Sequence, residues 1–222
     1  KTKISPVTFM FSVACFLRSS SLLSAFFASI AKQDSWLVVL FGAVVSLPEL
    51  AVYILLMKAF PPKNLIEIND TVFGKILGKA VSSLYLLFFF TLSALNLRDL
   101  GNFTSKSITL NTPMPLILGV FVLLCAWAVY LGIEVVTRYS VVFIIISSII
   151  LLVSIISTLN IIDFEHFLPM FDRPLLSYIQ STHIASTIPF GELVVFLMII
   201  PSIDVSPKKI GRYFLGGFLL GA

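Results

Sequence analysis

The chain has 222 residues, of which 58% are hydrophobic, 12% are charged and 21 are phenylalanine. Soluble globular domains are about 45–50% apolar and about 25% charged, so a soluble globule, a disordered tail and a disulfide-stapled scaffold are all excluded. The net charge of +4 is not a nucleic-acid signal, because the basic residues sit between apolar runs rather than in a patch interleaved with aromatics.

The composition is that of an all-α polytopic membrane protein, and the spans follow in order. The first covers about 5–30, with Ser5 as a cap and Pro6 in the first helical turn. Lys1 and Lys3 imitate the basic start of a signal peptide, but no small-residue cleavage site follows, so this span is expected to stay as a helix. Its centre is polar, with Arg18, Ser19, Ser20 and Ser21 in a row. The second span, about 36–57, starts at Trp36, as interfacial aromatics do, carries Glu49 after Pro48, and ends before Pro61 and Pro62. Within residues 58–79 the stretch from Leu65 predicts an amphipathic helix at the cytoplasmic interface.

The third span, about 80–103, bears Asn96, Arg98 and Asp99 towards its outer end. These three read as interfacial residues, with an outer gate as the alternative. Pro113 and Pro115 open the fourth span, about 114–133, and the fifth covers about 139–160. Ser147 and Ser148 in the fifth span read as helix-packing residues. Residues 161–182 form an outer segment, either a solvated cap or an external binding site. The sixth span, about 183–203, is interrupted by Ile188-Pro-Phe-Gly-Glu192, and a seventh covers about 213–222. A transmembrane barrel is excluded because its strands would alternate, whereas Val141–Ile156 is almost continuously apolar.

The loops orient the chain. With the N-terminus inside, ten basic residues (Lys1, Lys3, Lys58, Lys63, Lys75, Lys79, Arg138, Lys208, Lys209, Arg212) face the cytoplasm. Four (Lys32, Arg98, Lys106, Arg173) face outward, and Arg18 is left within a span. Positive charge resists translocation, so the N-terminus is expected to be cytoplasmic.

Ionisable groups near the bilayer centre cost at least about 2.5–3.5 kcal/mol and need a reason. Arg18, Glu49 and Glu192 are such groups. Arg18 and Glu192 lie at similar depth, which predicts an ion pair between them, structural or linked to a ligand. Glu49 reads as structural. The first and sixth spans are each interrupted midway, the pattern of an inverted-repeat transporter with its site at the midplane. Free N–H and C=O groups at such breaks suit a small zwitterion such as an amino acid. Cys15 and Cys125 lie in apolar runs and are expected as buried thiols. His166 and His183 have no zinc spacing, and no catalytic constellation is present. Neither an enzyme, a cofactor nor a metal site is expected.

Six motifs resemble the spore germination permease family, the membrane-embedded B subunits of nutrient germinant receptors. They are Lys32-Gln-Asp-Ser-Trp36, Phe73-Gly-Lys-Ile-Leu-Gly-Lys79, Asn111-Thr-Pro113, Leu131-Gly-Ile-Glu-Val-Val-Thr-Arg138, Leu168-Pro-Met170 and Pro189-Phe-Gly-Glu-Leu193. That family is similar to the amino acid–polyamine–organocation transporters. The resemblance implies a LeuT-like amino acid permease fold of two inverted five-helix repeats. This chain would supply the first repeat, the sixth helix and the start of the seventh, as part of a longer, ten-span protein. It also implies germinant sensing in the spore inner membrane, with receptor A and C subunits as partners. Amino acid transport remains the alternative function, and a structural half-permease a third. By position, the ligand site implied is Leu17, Arg18, Ser19, Ser20 and Ser21 with Thr187, Pro189, Phe190, Gly191 and Glu192. The first break departs from the family pattern in having no glycine, and Ser24 stands where a family proline is expected.

Overall fold

The computed structural model describes residues 3–20, 24–109 and 112–222, so Lys1, Ser21 and Asn111 lie outside the described residues. The chain is helical: α1 (Pro6–Ser19), α2 (Ser24–Ala31), α3 (Ser35–Val45), α4 (Leu47–Ala59), α5 (Leu65–Ser107), α6 (Met114–Leu131), α7 (Ile133–Thr158), α8 (Leu175–Ala185) and α9 (Pro207–Gly221). Between α8 and α9 the chain passes through a π-type turn, Ser186–Phe190, and a 3₁₀ segment, Gly191–Ser202. Among the described residues, five helical stretches are long and apolar enough to cross a bilayer: Phe26–Ala59, Leu65–Ser107, Met114–Leu131, Ile133–Thr158 and Leu175–Ser202. α1 is apolar but, at 14 residues, too short to cross alone.

Local chemistry sets the helix starts. Ser5 Oγ accepts the Thr8 N–H at 3.1 Å, as the sequence suggests. At α5, Asn64 and Glu67 form a reciprocal capping box, with bonds of 2.9 and 2.8 Å. The amphipathic start of α5 is helical as expected, and Gly74, at φ 76°, kinks the chain before the span proper. Gly78 then lies so close to Asn69 and Asp70 that a Cβ there would sit 2.7 Å from Asp70. The fifth span begins at Ile133, upstream of its expected start. Glu134 and Arg138, one turn apart, pair with each other and extend the helix beyond the apolar run.

α1, α7 and α9 run parallel. Ser12 bonds Ser140 at 3.0 Å, and one and a half turns later Arg18 bonds Ser148 at 2.6 Å. α9 meets α1 through glycines, Gly217 against Met10 and Val13, and Gly221 against Ala14 and Leu17. The start of α1 is tied to the end of the 3₁₀ segment: Ile4 N–H donates to Ser202 O and Asp204 N–H to Ile4 O, each at 2.8 Å. Lys3 and Asp204 form an ion pair at 3.5 Å beside them.

Two apolar cores result. The larger joins α1, α4, α9 and the 3₁₀ segment around Phe9, Val13, Leu50, Leu193, Leu197 and Phe214. Phe9 stacks on Phe214 with centroids 6.1 Å apart and meets Phe196 edge-on at 5.9 Å. The smaller, Phe27, Ala31, Val38 and Ala185, joins α2, α3 and α8. Cys125 is exposed on α6 and Cys15 is only half-buried, which corrects the expectation of two buried thiols. Lipid-facing helices present side chains that an apolar sequence alone cannot distinguish from core.

Candidate functional site

Three spans depart from regular helix along their length. In the first span, Ser19 and Ser20 turn their hydroxyls back to Phe16 O, at 2.7 and 3.3 Å, where α1 ends. In the second, Ser46 Oγ donates to Ala43 O at 2.9 Å and Pro48 occupies the first turn of α4. In the sixth, Pro189 has no N–H to give the carbonyl of Ala185, and the adjacent Ile188 leaves helical geometry at φ −127°, ψ 108°. The second and sixth breaks are side by side, because Gly42 packs on Ala185 and Ser186 while Glu49 approaches Gly191.

A cavity of about 440 Å³ opens between the first and sixth breaks. Leu17, Arg18 and Ser20 line it from the first span, and Ala185, Pro189 and Phe190 from the sixth. Phe27, Val39, Ser147, Leu151 and the end of α9 complete the wall. Phe190 is buried and lies against Phe218 at 5.3 Å. Five of the sequence-derived site residues are therefore brought together.

The Arg18–Glu192 pair expected from depth does not form. The Arg18 guanidinium donates to Ser148 Oγ at 2.6 Å, and weakly to Ser147 Oγ and Leu220 O, each at 3.4 Å. Equal depth does not imply facing sides: Arg18 turns to the parallel helix α7, whereas Glu192 is buried away from it. Glu192 is 3% exposed, and its Oε2 has no hydrogen-bond partner among the described residues. Ser147 and Ser148, read from sequence as packing residues, are instead the partners of this half-buried cation. Their position midway along the fifth span, level with Arg18, was the available signal.

The remaining candidates separate. Ser19 is exposed and borders a different, apolar hollow of about 560 Å³ with Phe16, Trp127 and Phe196. Thr187 is exposed, and Ser21 lies outside the described residues. Gly191 faces α4, where Tyr53 OH donates to its carbonyl at 3.1 Å beside the Glu49 carboxylate. Glu49 is exposed on the surface of α4. Asn96, Arg98 and Asp99 do not reach the cavity; Arg98 and Asp99 pair at 3.1 Å on α5. No group of three or more His, Cys, Asp or Glu among the described residues is placed to hold a metal.

An all-helical bundle with five membrane-length helices and a partly polar cavity at broken helices defines a multi-pass membrane protein. A family profile described as spore germination protein matches residues 3–221. The chain belongs to this spore permease family. It is 28% identical over 190 residues to spore germination protein KB of Bacillus subtilis (strain 168), covering 82% of this chain and 50% of the relative. It is also 28% identical over 193 residues to YfkT of the same organism, provisionally described as a spore germination protein, covering 86% and 52%. The chain thus spans about half the length of the curated relatives it matches. No solved structure matches it significantly.

Proposed function

We propose that this chain is part of a membrane-embedded subunit of a spore nutrient germinant receptor, and that it binds a small germinant, an amino acid or similar zwitterion. The observation that carries the reading is the cavity at the first and sixth breaks with the Arg18 guanidinium in its wall. A guanidinium in a site of low water content is a strong, geometrically selective partner for a carboxylate. The inverted-repeat fold belongs to the same proposal, with α1–α7 as the first repeat and the stretch from Leu175 opening the second. So do the spore inner membrane, a cytoplasmic N-terminus and association with the receptor's A and C subunits.

The test is ligand-dependent thermal stabilisation of the full-length protein across a panel of L-amino acids, alongside germination of spores carrying the same variants. Ser20→Phe fills the cavity and should abolish both the thermal shift and the nutrient response. Identical shifts in wild type and Ser20→Phe would overturn the proposed site. Accumulation of labelled amino acid in proteoliposomes would replace sensing with transport.

A further inference from the structure

The turn between α2 and α3 carries a polar contact that the cavity does not use. Asp34 is fully buried, at 0% exposure. Its Oδ2 accepts the Phe171 N–H at 3.0 Å and the Tyr178 hydroxyl at 2.6 Å. Tyr178 OH in turn accepts the Arg173 N–H at 3.3 Å, and Gln33 Nε2 donates to Pro169 O at 2.9 Å. The other carboxylate oxygen, Oδ1, has no hydrogen-bond partner among the described residues. A buried carboxylate is tolerated only where hydrogen bonds hold it, so these contacts dictate where residues 169–173 and Tyr178 lie.

Two further observations converge on this contact. The non-glycine residues with positive φ among the described residues are Lys32, at 51°, and Phe171, at 59°. One sits on each side of it. Backbone strain of this kind persists where surroundings over-determine it, and it gathers at clamps and switches. The contact is also continuous with the cavity. Tyr178 and Val39 pack on the small core of Phe27, Ala31, Val38 and Ala185, and Phe27, Val39 and Ala185 line the cavity. Gly42 meets Ala185 so closely that a Cβ there would lie 2.8 Å from the alanine's own. The seating of α8 on α2 and α3 therefore determines one wall of the cavity.

We infer that residues 169–173 form a latch across the α2–α3 turn, and that Asp34 is the positioning residue through which it holds the cavity wall. Asp34 need not touch the bound molecule. It acts through Tyr178 and the small core, and neither the nature of the ligand nor the germinant reading is required.

Cysteine reactivity tests this without a ligand. In the full-length protein with Cys15→Ser, Ser20→Cys reports on the cavity, and the exposed Cys125 on α6 serves as a reference. Both are reacted with N-ethylmaleimide and quantified by mass spectrometry. Asp34→Ala and Tyr178→Phe should each speed modification at position 20 by roughly fivefold, the scale of a lost buried hydrogen bond, with Cys125 unchanged. Asp34→Asn, which keeps an acceptor for both donors, should react near the wild-type rate. An unchanged rate at position 20, or a parallel rise at both cysteines, would overturn the latch. Should Asp34→Ala fail to accumulate, Tyr178→Phe decides by the same criterion. Because no germinant enters the experiment, its failure leaves the proposed function standing, and the reverse also holds.

Discussion

Arg18 illustrates how a charge is accommodated in an apolar chain without a countercharge. Its guanidinium is half-buried and held by the hydroxyls of α7, with Ser148 the closer at 2.6 Å. A hydrogen bond to a charged group contributes about 1.5–3 kcal/mol, so Ser148→Ala should destabilise the detergent-solubilised protein by that scale, read as a lowered melting midpoint. Ser83→Ala, at an exposed hydroxyl bonded only to Lys79 O, should stay within about 0.5 kcal/mol of wild type. The separation of Arg18 from Glu192 yields a second expectation. A charge-swapped Arg18→Glu/Glu192→Arg protein should accumulate in membranes no better than either single variant, measured by immunoblot. Recovery in the double variant would mean that the two side chains meet after all.

At the scale of elements, close helix contact depends on residues with no side chain to move. A Cβ on Gly217 would lie 2.5 Å from Met10 O and 2.6 Å from Val13 Cβ, and the first of these is backbone that cannot yield. Gly119, a third of the way along α6, has nothing within 4 Å. The same substitution should therefore have opposite signs at the two positions. Gly217→Ala should destabilise by about 1–3 kcal/mol through overpacking between α1 and α9. Gly119→Ala should stabilise by up to about 1 kcal/mol through helix propensity. Thermal melts of the two proteins in one detergent make the comparison. The GxxxG spacing of Gly217 and Gly221 is legible in sequence, but which helix they receive is not.

For the whole molecule, the contacts give an alternating up-and-down order. Lys3 pairs with Asp204, and Gly211 packs against Lys58, so the start of α1, the end of α4 and the start of α9 share one end. Asp34 and the segment after α7 share the other. Combined with the ten-to-four bias of basic residues, this order predicts which positions face the cytoplasm. Cysteines placed at Lys58 and Asp204 should react with an impermeant maleimide in inverted vesicles, and cysteines at Lys106 and Asp172 in right-side-out ones. A reversed pattern would invert the orientation and leave the fold intact.

Composition together with near-continuous apolar runs such as Val141–Ile156 determined that this is a helical membrane protein, because only helices and closed barrels satisfy the backbone inside a bilayer and barrel strands would alternate. Proline, serine and cap positions located most of the helix ends and the breaks at Arg18 and Glu192, since those are local effects of missing donors and competing hydroxyls. Membership of the family was likewise legible, through six short motifs in order. Tertiary structure decided the rest. Arg18 chooses Ser148 over Glu192 because of the rotation of α1 against α7, a quantity that span depth does not contain. Asp34, in the motif Lys32–Trp36, gains its partner only because the chain returns 137 residues later to bury it. Whether a polar residue in an apolar run is lipid-facing, a packing residue or a site depends on what stands opposite it, and that is settled only when distant helices meet.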